Sequence, residues 1–166
     1  MKEEQFKVLK TMIEATSRMD LNSFAQRVNL TPNQTIQQIQ ELAKEGFLQK
    51  IGGGYGITEK GKAALKVYAP VPQDMGFHFY SGIDQPTNLT SQTLTEFFKI
   101  IKQVNVDSLE FHLYRGDFEN WIKEACQDPK LANEIGEIKN DDLKGEELRV
   151  KLLKLLDTKY SIQESM

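Results

Sequence analysis

Between Gly46 and Thr58 the hydrophobic period of the chain changes from that of a helix to that of a strand, and then back again. "FLQKI" alternates apolar and polar residues over Phe47 to Ile51, and "YGIT" repeats the alternation after Gly52-Gly53-Gly54. A reversal at that point needs residues without a Cβ, so the two runs read as a small hairpin with a glycine tip. Gly46 is the residue expected just beyond a helix C-terminus, and Thr58 is a cap for the following helix, "EKGKAALKVY". A hairpin held between two helices excludes a plain helical bundle for this half of the chain.

Upstream, "FKVLKTMIEA" places Phe6, Leu9 and Ile13 on one stripe, widened by Val8 and Met12, which predicts an amphipathic helix over residues 3–16. "DLNSFAQRVNL" offers Asp20 or Asn22 as a cap, then Phe24, Ala25 and Val28 at helical spacing, then a turn at Asn29 and Leu30. In "TPNQTIQQIQ", Thr31 reads as an N-cap and Pro32 as the first helical residue of a third helix that runs to about Glu45. Its core stripe is expected at Ile36, Ile39, Leu42 and Ala43, which turns Asn33, Gln34, Gln37, Gln38 and Glu41 outward.

"APVPQDMG" breaks the periodicity with two prolines in three residues, which sets three divisions: residues 1–68, a linker over 69–76, and 77–166. In the last of these, "FHFYSG" is a short alternating strand, and "SQTLTEFFKIIKQV" puts Leu94, Phe97, Phe98 and Ile101 on one helical face. Further helices fit "DSLEFHLYRG", "DFENWIKEACQ", "PKLANEIGEI" and "GEELRVKLLKLLDTKY". The fold class expected is therefore mainly α, with a small β-hairpin in the first half and a mostly helical second half.

Residues 1–70 carry ten Lys/Arg against seven Asp/Glu, whereas residues 71–166 carry eleven against seventeen. A basic first half and an acidic second half point to different roles. No run approaches the roughly 20 apolar residues that span a bilayer, and "MKEEQFKVLK" is too charged for a signal peptide, so a cytoplasmic location with no membrane partner is expected. The single cysteine, Cys126, allows no internal disulfide and reads as a buried small apolar residue on the stripe of Trp121 and Ala125.

The segment "NSFAQRVNLTPNQTIQQIQELAKEGFLQKIGGGYGITEKGKAAL" resembles the winged helix-turn-helix DNA-binding domain of prokaryotic transcription regulators, over residues ~3–67. The resemblance implies that the third helix enters the major groove and that the hairpin is a wing. Residues ~76–160, with "FHFYSG", "DSLEFHLYRGDFENWI" and "ELRVKLLKLL", resemble an uncharacterised domain family of bacteria and archaea that brings no activity with it.

Within that frame the amides have a chemical use, because an Asn or Gln side chain matches the donor and acceptor of adenine N6 and N7. The residues expected to meet DNA are Thr31, Asn33, Gln34, Gln37 and Gln38 on the helix, and Gly53 and Tyr55 on the wing. Arg27, Lys44, Lys50, Lys60 and Lys62 would hold phosphates, since amides release no counterions. An amide-rich face is also what a merely soluble helix presents to water. The weak positive balance predicts a homodimer with two recognition helices on double-stranded DNA. The alternative is a protein-protein adaptor that uses the winged helix as a docking module.

Catalytic motifs are sparse. His78 and His112 lie in no metal-ligand spacing, "GGGYG" lacks the lysine and helix of a phosphate loop, and neither metal nor cofactor is expected. The densest mixture of reactive types is "EFHLYRGDFENW". It reads as the wall of a ligand pocket, formed by His112, Tyr114, Arg115 and Trp121, for an effector or protein partner. It also reads as core, with Phe111, Phe118 and Trp121 buried, His112 hydrogen-bonded inside and Asp117 capping the next helix. An enzyme centred on His112, Arg115 and Asp117 is the remaining alternative, and the chain is not expected to be one. "KNDDLKGEE" is a solvated loop without the alternating ligands of a calcium site.

Overall fold

A computed structural model describes residues 1–15 and 17–165. The fold is mainly α with two small antiparallel β-hairpins. Residues 1–68 fall in one compact unit and residues 69–163 in another.

In the first unit the order is α1 (Glu3–Glu14), α2 (Leu21–Val28), α3 (Pro32–Lys44), β1 (Leu48–Ile51), β2 (Gly54–Ile57) and α4 (Glu59–Tyr68). Of the two candidate caps for α2, Asp20 takes the role and accepts from the Ser23 N–H at 2.9 Å. Asn29 then ends the helix in the left-handed conformation. At the start of α3, Thr31 Oγ1 accepts from Gln34 N–H at 3.1 Å while Gln34 Oε1 accepts from Thr31 N–H at 3.0 Å, a reciprocal capping box. The hairpin pairs Leu48 with Ile57 and Ile51 with Gly54, and Gly52 supplies the positive φ, +58°, that the turn requires. Thr58 Oγ1 accepts from Gly61 N–H and donates to the Gly46 carbonyl, which ties the start of α4 to the end of α3.

Val8 and Leu9 of α1, Phe24 and Val28 of α2, Leu42 of α3, Phe47 and Leu48 at the hairpin base, and Ala64 of α4 form one apolar cluster. Two helices sit on it rotated from their expected faces. In α1 the buried residues are Gln5, Val8 and Leu9, and Ile13 is 51% exposed. In α3 the buried residues are Thr35, Gln38 and Leu42, while Ile36 is 39% exposed. The capping geometry explains part of this rotation: Thr35 Oγ1 donates to the Thr31 carbonyl at 2.9 Å, which satisfies the hydroxyl inside the fold.

The second unit begins with the segment read as a linker, and that segment is fastened to the unit. Val71 is buried and its N–H donates to the Gln92 carbonyl at 2.8 Å; Gln73–Met75 form a 3₁₀ turn. β3 (Phe77–Gly82) pairs antiparallel with β4 (Gln85–Ser91), a strand that its Pro86 and polar alternation conceal from periodicity. There follow α5 (Leu94–Gln103), α6 (Val106–Arg115), α7 (Asp117–Glu124), α8 (Pro129–Glu137), a 3₁₀ turn over Ile138–Asp141, α9 (Gly145–Tyr160) and the first two residues of α10 (Ile162–Ser165), where the unit ends. The expected face of α5 is buried throughout: Leu94, Phe97, Phe98 and Ile101. Phe77 and Phe79 of β3 close on Phe97, Phe118 and Trp121 to make an aromatic core, with Trp121 stacked on Phe97 at 5.1 Å between ring centres. Because α7 ends at Glu124, Cys126 lies beyond the helix and is half-buried, not part of its buried stripe.

Candidate functional site

The outward face of α3 follows from which residues the core claims. With Thr35, Gln38 and Leu42 inside, Asn33, Gln37, Gln40 and Lys44 form the exposed stripe, at spacings of four, three and four. Gln38, expected among the base-reading amides, is 6% exposed and faces the core. The reason is rotational: a shift of one residue in the buried stripe turns the helix by about 100° and exchanges Gln38 for Gln40. Nothing in the sequence pattern favours Gln40 over Gln38, since both are amides and the true stripe includes a polar residue.

The remaining predicted contacts divide by what already holds them. Gln34 is exposed, but its Oε1 is engaged in the capping box with Thr31. Gln37 Nε2 donates to Glu41 Oε1 at 3.3 Å across one helical turn, an exposed contact that a stronger partner can displace. Lys60 does not project: its Nζ donates to the Glu45 carbonyl at 2.8 Å and lies 4.8 Å from the Phe47 ring centre, capping the end of α3. Lys62 pairs with Glu59 at 3.1 Å. Arg27 is exposed at the end of α2, with NH1 3.7 Å from Met19 Sδ. Tyr55 is half-buried against the apolar cluster, and the Gly53 carbonyl accepts from Arg18 NH2 at 3.0 Å. Lys44 and Lys50 are exposed and make no ion pair among the described residues.

Beside this stripe runs a groove of about 680 Å³ walled by α3, by Ser17, Arg18 and Met19 ahead of α2, and by the β1–β2 turn. Ile36 and Gln40 form its α3 side, Ile51 and Gly53 its hairpin side, and Met12, Met19 and Phe24 lie between them. The sequence hid this groove because Ile36 reads as a core residue.

In the second unit a cleft of about 520 Å³ opens between β3, the β3–β4 turn and the α6–α7 corner. The corner exists because Gly116 adopts φ +83°, ending α6 and starting α7 within one residue. His112 is 3% exposed at the base. Its Nε2 accepts from the Tyr80 backbone N–H at 2.8 Å, which places the proton on Nδ1, where it is donated to Asp117 Oδ2 at 2.9 Å. Burial holds the imidazole below the usual histidine range against the pull of Asp117. With both ring nitrogens engaged, His112 keeps neither a lone pair nor a proton for a substrate. It fastens β3 to α6. Asp117 serves this histidine and not the α7 cap, which is Gly116.

Of the four residues expected in a pocket here, two line the cleft. Arg115 is exposed, its Nε 3.6 Å from Asp117 and its guanidinium 4.5 Å from the Phe111 ring centre. Tyr114 turns away to donate to the Leu143 carbonyl at 2.6 Å, and Trp121 donates to the Met75 carbonyl at 2.7 Å from within the aromatic core. The cleft adds His78 and Tyr80, which the local pattern did not bring together because they arrive from β3, and Asn120, which lies within the quoted stretch on α7. Among the described residues no three His, Cys, Asp or Glu side chains converge as metal ligands, and no helix is long and apolar enough to cross a membrane.

Most of this unit, from β3 onward, is covered by a sequence family. Residues 77–166 match a family of unknown function (DUF5752), and the chain belongs to that family. No curated protein and no solved structure matches the chain.

Proposed function

We propose that the chain is a DNA-binding transcription regulator, in which the first unit is a winged helix and the second dimerises or receives an effector or protein partner. The observation that carries the reading is the exposed stripe Asn33, Gln37, Gln40 and Lys44 on α3, beside a hairpin that bears the unpaired Lys50. Order supports it as well: three helices, a glycine-tipped hairpin and a fourth helix are the elements of a winged helix. In the major groove each well-placed amide discriminates adenine by about 1–3 kcal/mol, and the lysines supply the salt-dependent part of the affinity. The proposed contacts are thus Asn33, Gln37, Gln40, Lys44 and Lys50. Lys60 is left to hold the end of α3, and Gln38 is buried away from any ligand. A homodimer doubles the small number of free cations.

The test is a selection of random duplex DNA by the full-length protein at low salt. The expected outcome is a recovered motif rich in A·T. Gln37→Ala combined with Gln40→Ala should relax the preference, and Lys44→Ala or Lys50→Ala should weaken all duplexes and reduce the salt slope by about 1 each. No duplex retained at low salt would overturn the reading. Stoichiometric retention of one protein without DNA would replace it with the adaptor role.

A further inference from the structure

We propose that the groove beside α3 is a binding site for an aliphatic carboxylate, with its chain on Met12, Met19, Leu21, Ile36 and Ile51 and its charge on Arg18. The inference does not depend on DNA binding. Its first support is exposure: Leu21, Ile36 and Ile51 are 38%, 39% and 58% exposed, and all three line the same concavity. Large apolar side chains scattered singly need no explanation, whereas several sharing one concave wall mark a place that something covers. A volume of about 680 Å³ lies within the range of small-molecule sites.

The chemistry of the lining selects the ligand. The apolar residues are mainly aliphatic, and two are methionines, whose flexible thioethers adapt to a chain of variable conformation. Arg18 is the one charged lining residue among those described, with no carboxylate on the wall to neutralise it. One of its terminal nitrogens donates to the Gly53 carbonyl at 3.0 Å, which holds the guanidinium across the groove. A guanidinium carries five N–H donors, so others remain for an incoming carboxylate. Ser17 and Gln40 add polar groups at the same edge. A cationic ligand would meet Arg18 unfavourably, and a neutral one would leave it unused.

The experiment uses full-length protein labelled at the methionine methyl groups and titrated with decanoate below its micelle concentration, with decanol as the uncharged control. Met12 and Met19 line the groove, whereas Met75 belongs to the other unit and serves as the internal reference. The expected result is saturable movement of the Met12 and Met19 signals with Met75 still, and weaker binding of decanol. Arg18→Gln should weaken decanoate by about tenfold, with part of that restored in Arg18→Lys. Because Arg18 also fastens the hairpin turn, Ile36→Glu is the second variant: the position is exposed enough to accept a charge, and the carboxylate should repel the ligand. Absence of a saturable shift, equal affinity for decanol, Met75 moving in step with Met12, or wild-type binding by Ile36→Glu would each overturn the assignment.

Discussion

Replacing Gln38 with methionine should stabilise the first unit. Gln38 is 6% exposed, and its side-chain Oε1 has no hydrogen-bond partner among the described residues. A buried acceptor left unmet costs about 1–3 kcal/mol. Methionine has nearly the same length and helix propensity as glutamine and removes the acceptor without opening a cavity. The expected gain is about 1–2 kcal/mol, which for a unit of this size raises its melting temperature by roughly 4–16 °C. The assay exploits the single tryptophan, Trp121, which lies in the second unit. Far-UV circular dichroism follows both units and Trp121 fluorescence only one, so the gain should appear in the first signal and be absent from the second. Duplex affinity should not change. A loss of about 1 kcal/mol or more would mean that the amide is satisfied inside the core. Unchanged stability with lost DNA binding would mean that Gln38 faces outward and that the assigned rotation of α3 is wrong.

Two further perturbations test the packing. Because burial lowers the His112 pKa in the folded unit, the unfolded chain holds more protons below the ordinary histidine range. This contribution to stability is complete above about pH 6.5 and is lost as pH falls through the lower folded-state value. The urea midpoint read from Trp121 should therefore drop between about pH 7.5 and pH 5, with a shallower slope in His112→Gln; identical slopes would contradict the assignment. In α4, Gly61→Ala should reverse the usual helical gain of about 1 kcal/mol, because the new Cβ would stand 2.3 Å from the Phe47 carbonyl oxygen and 2.8 Å from Ile57 Cγ2. We expect a loss of about 1–3 kcal/mol by circular dichroism, and a more stable variant would refute the close approach.

Particular residues show where sequence reasoning reaches and where it stops. The caps Thr31 and Thr58, the narrowing of the α2 cap to Asp20 or Asn22, the terminating Gly46, and the glycine tip of the hairpin are local, because each acts within three or four residues of itself. They were legible for that reason. β4 was not, since Pro86 and a polar alternation look like loop until Phe77 and His78 pair with Ser91 and Thr90. The linker reading of 69–76 met the same limit: two prolines stop a helix, but only Gln92 and Trp121, distant in sequence, show what the segment packs on. In the second cleft, His112 and Arg115 were visible as neighbours, whereas Tyr80, whose backbone N–H donates to His112, and His78 are more than 30 residues away in sequence and were not.

Hydrophobic period and capping by themselves determined that this chain has helices, a hairpin and a helix in its first half and mostly helices in its second. Both signals arise from neighbours a turn apart, so they survive without a fold. The rotation of each helix about its axis belonged to tertiary structure alone. Thr35 and Gln38 went in and Ile36 came out because packing against Val8, Leu9 and Phe24 is decided by the shape of all partners together, and no single residue's polarity overrides it. That rotation placed Gln40 on the outer stripe and opened the apolar groove beside it.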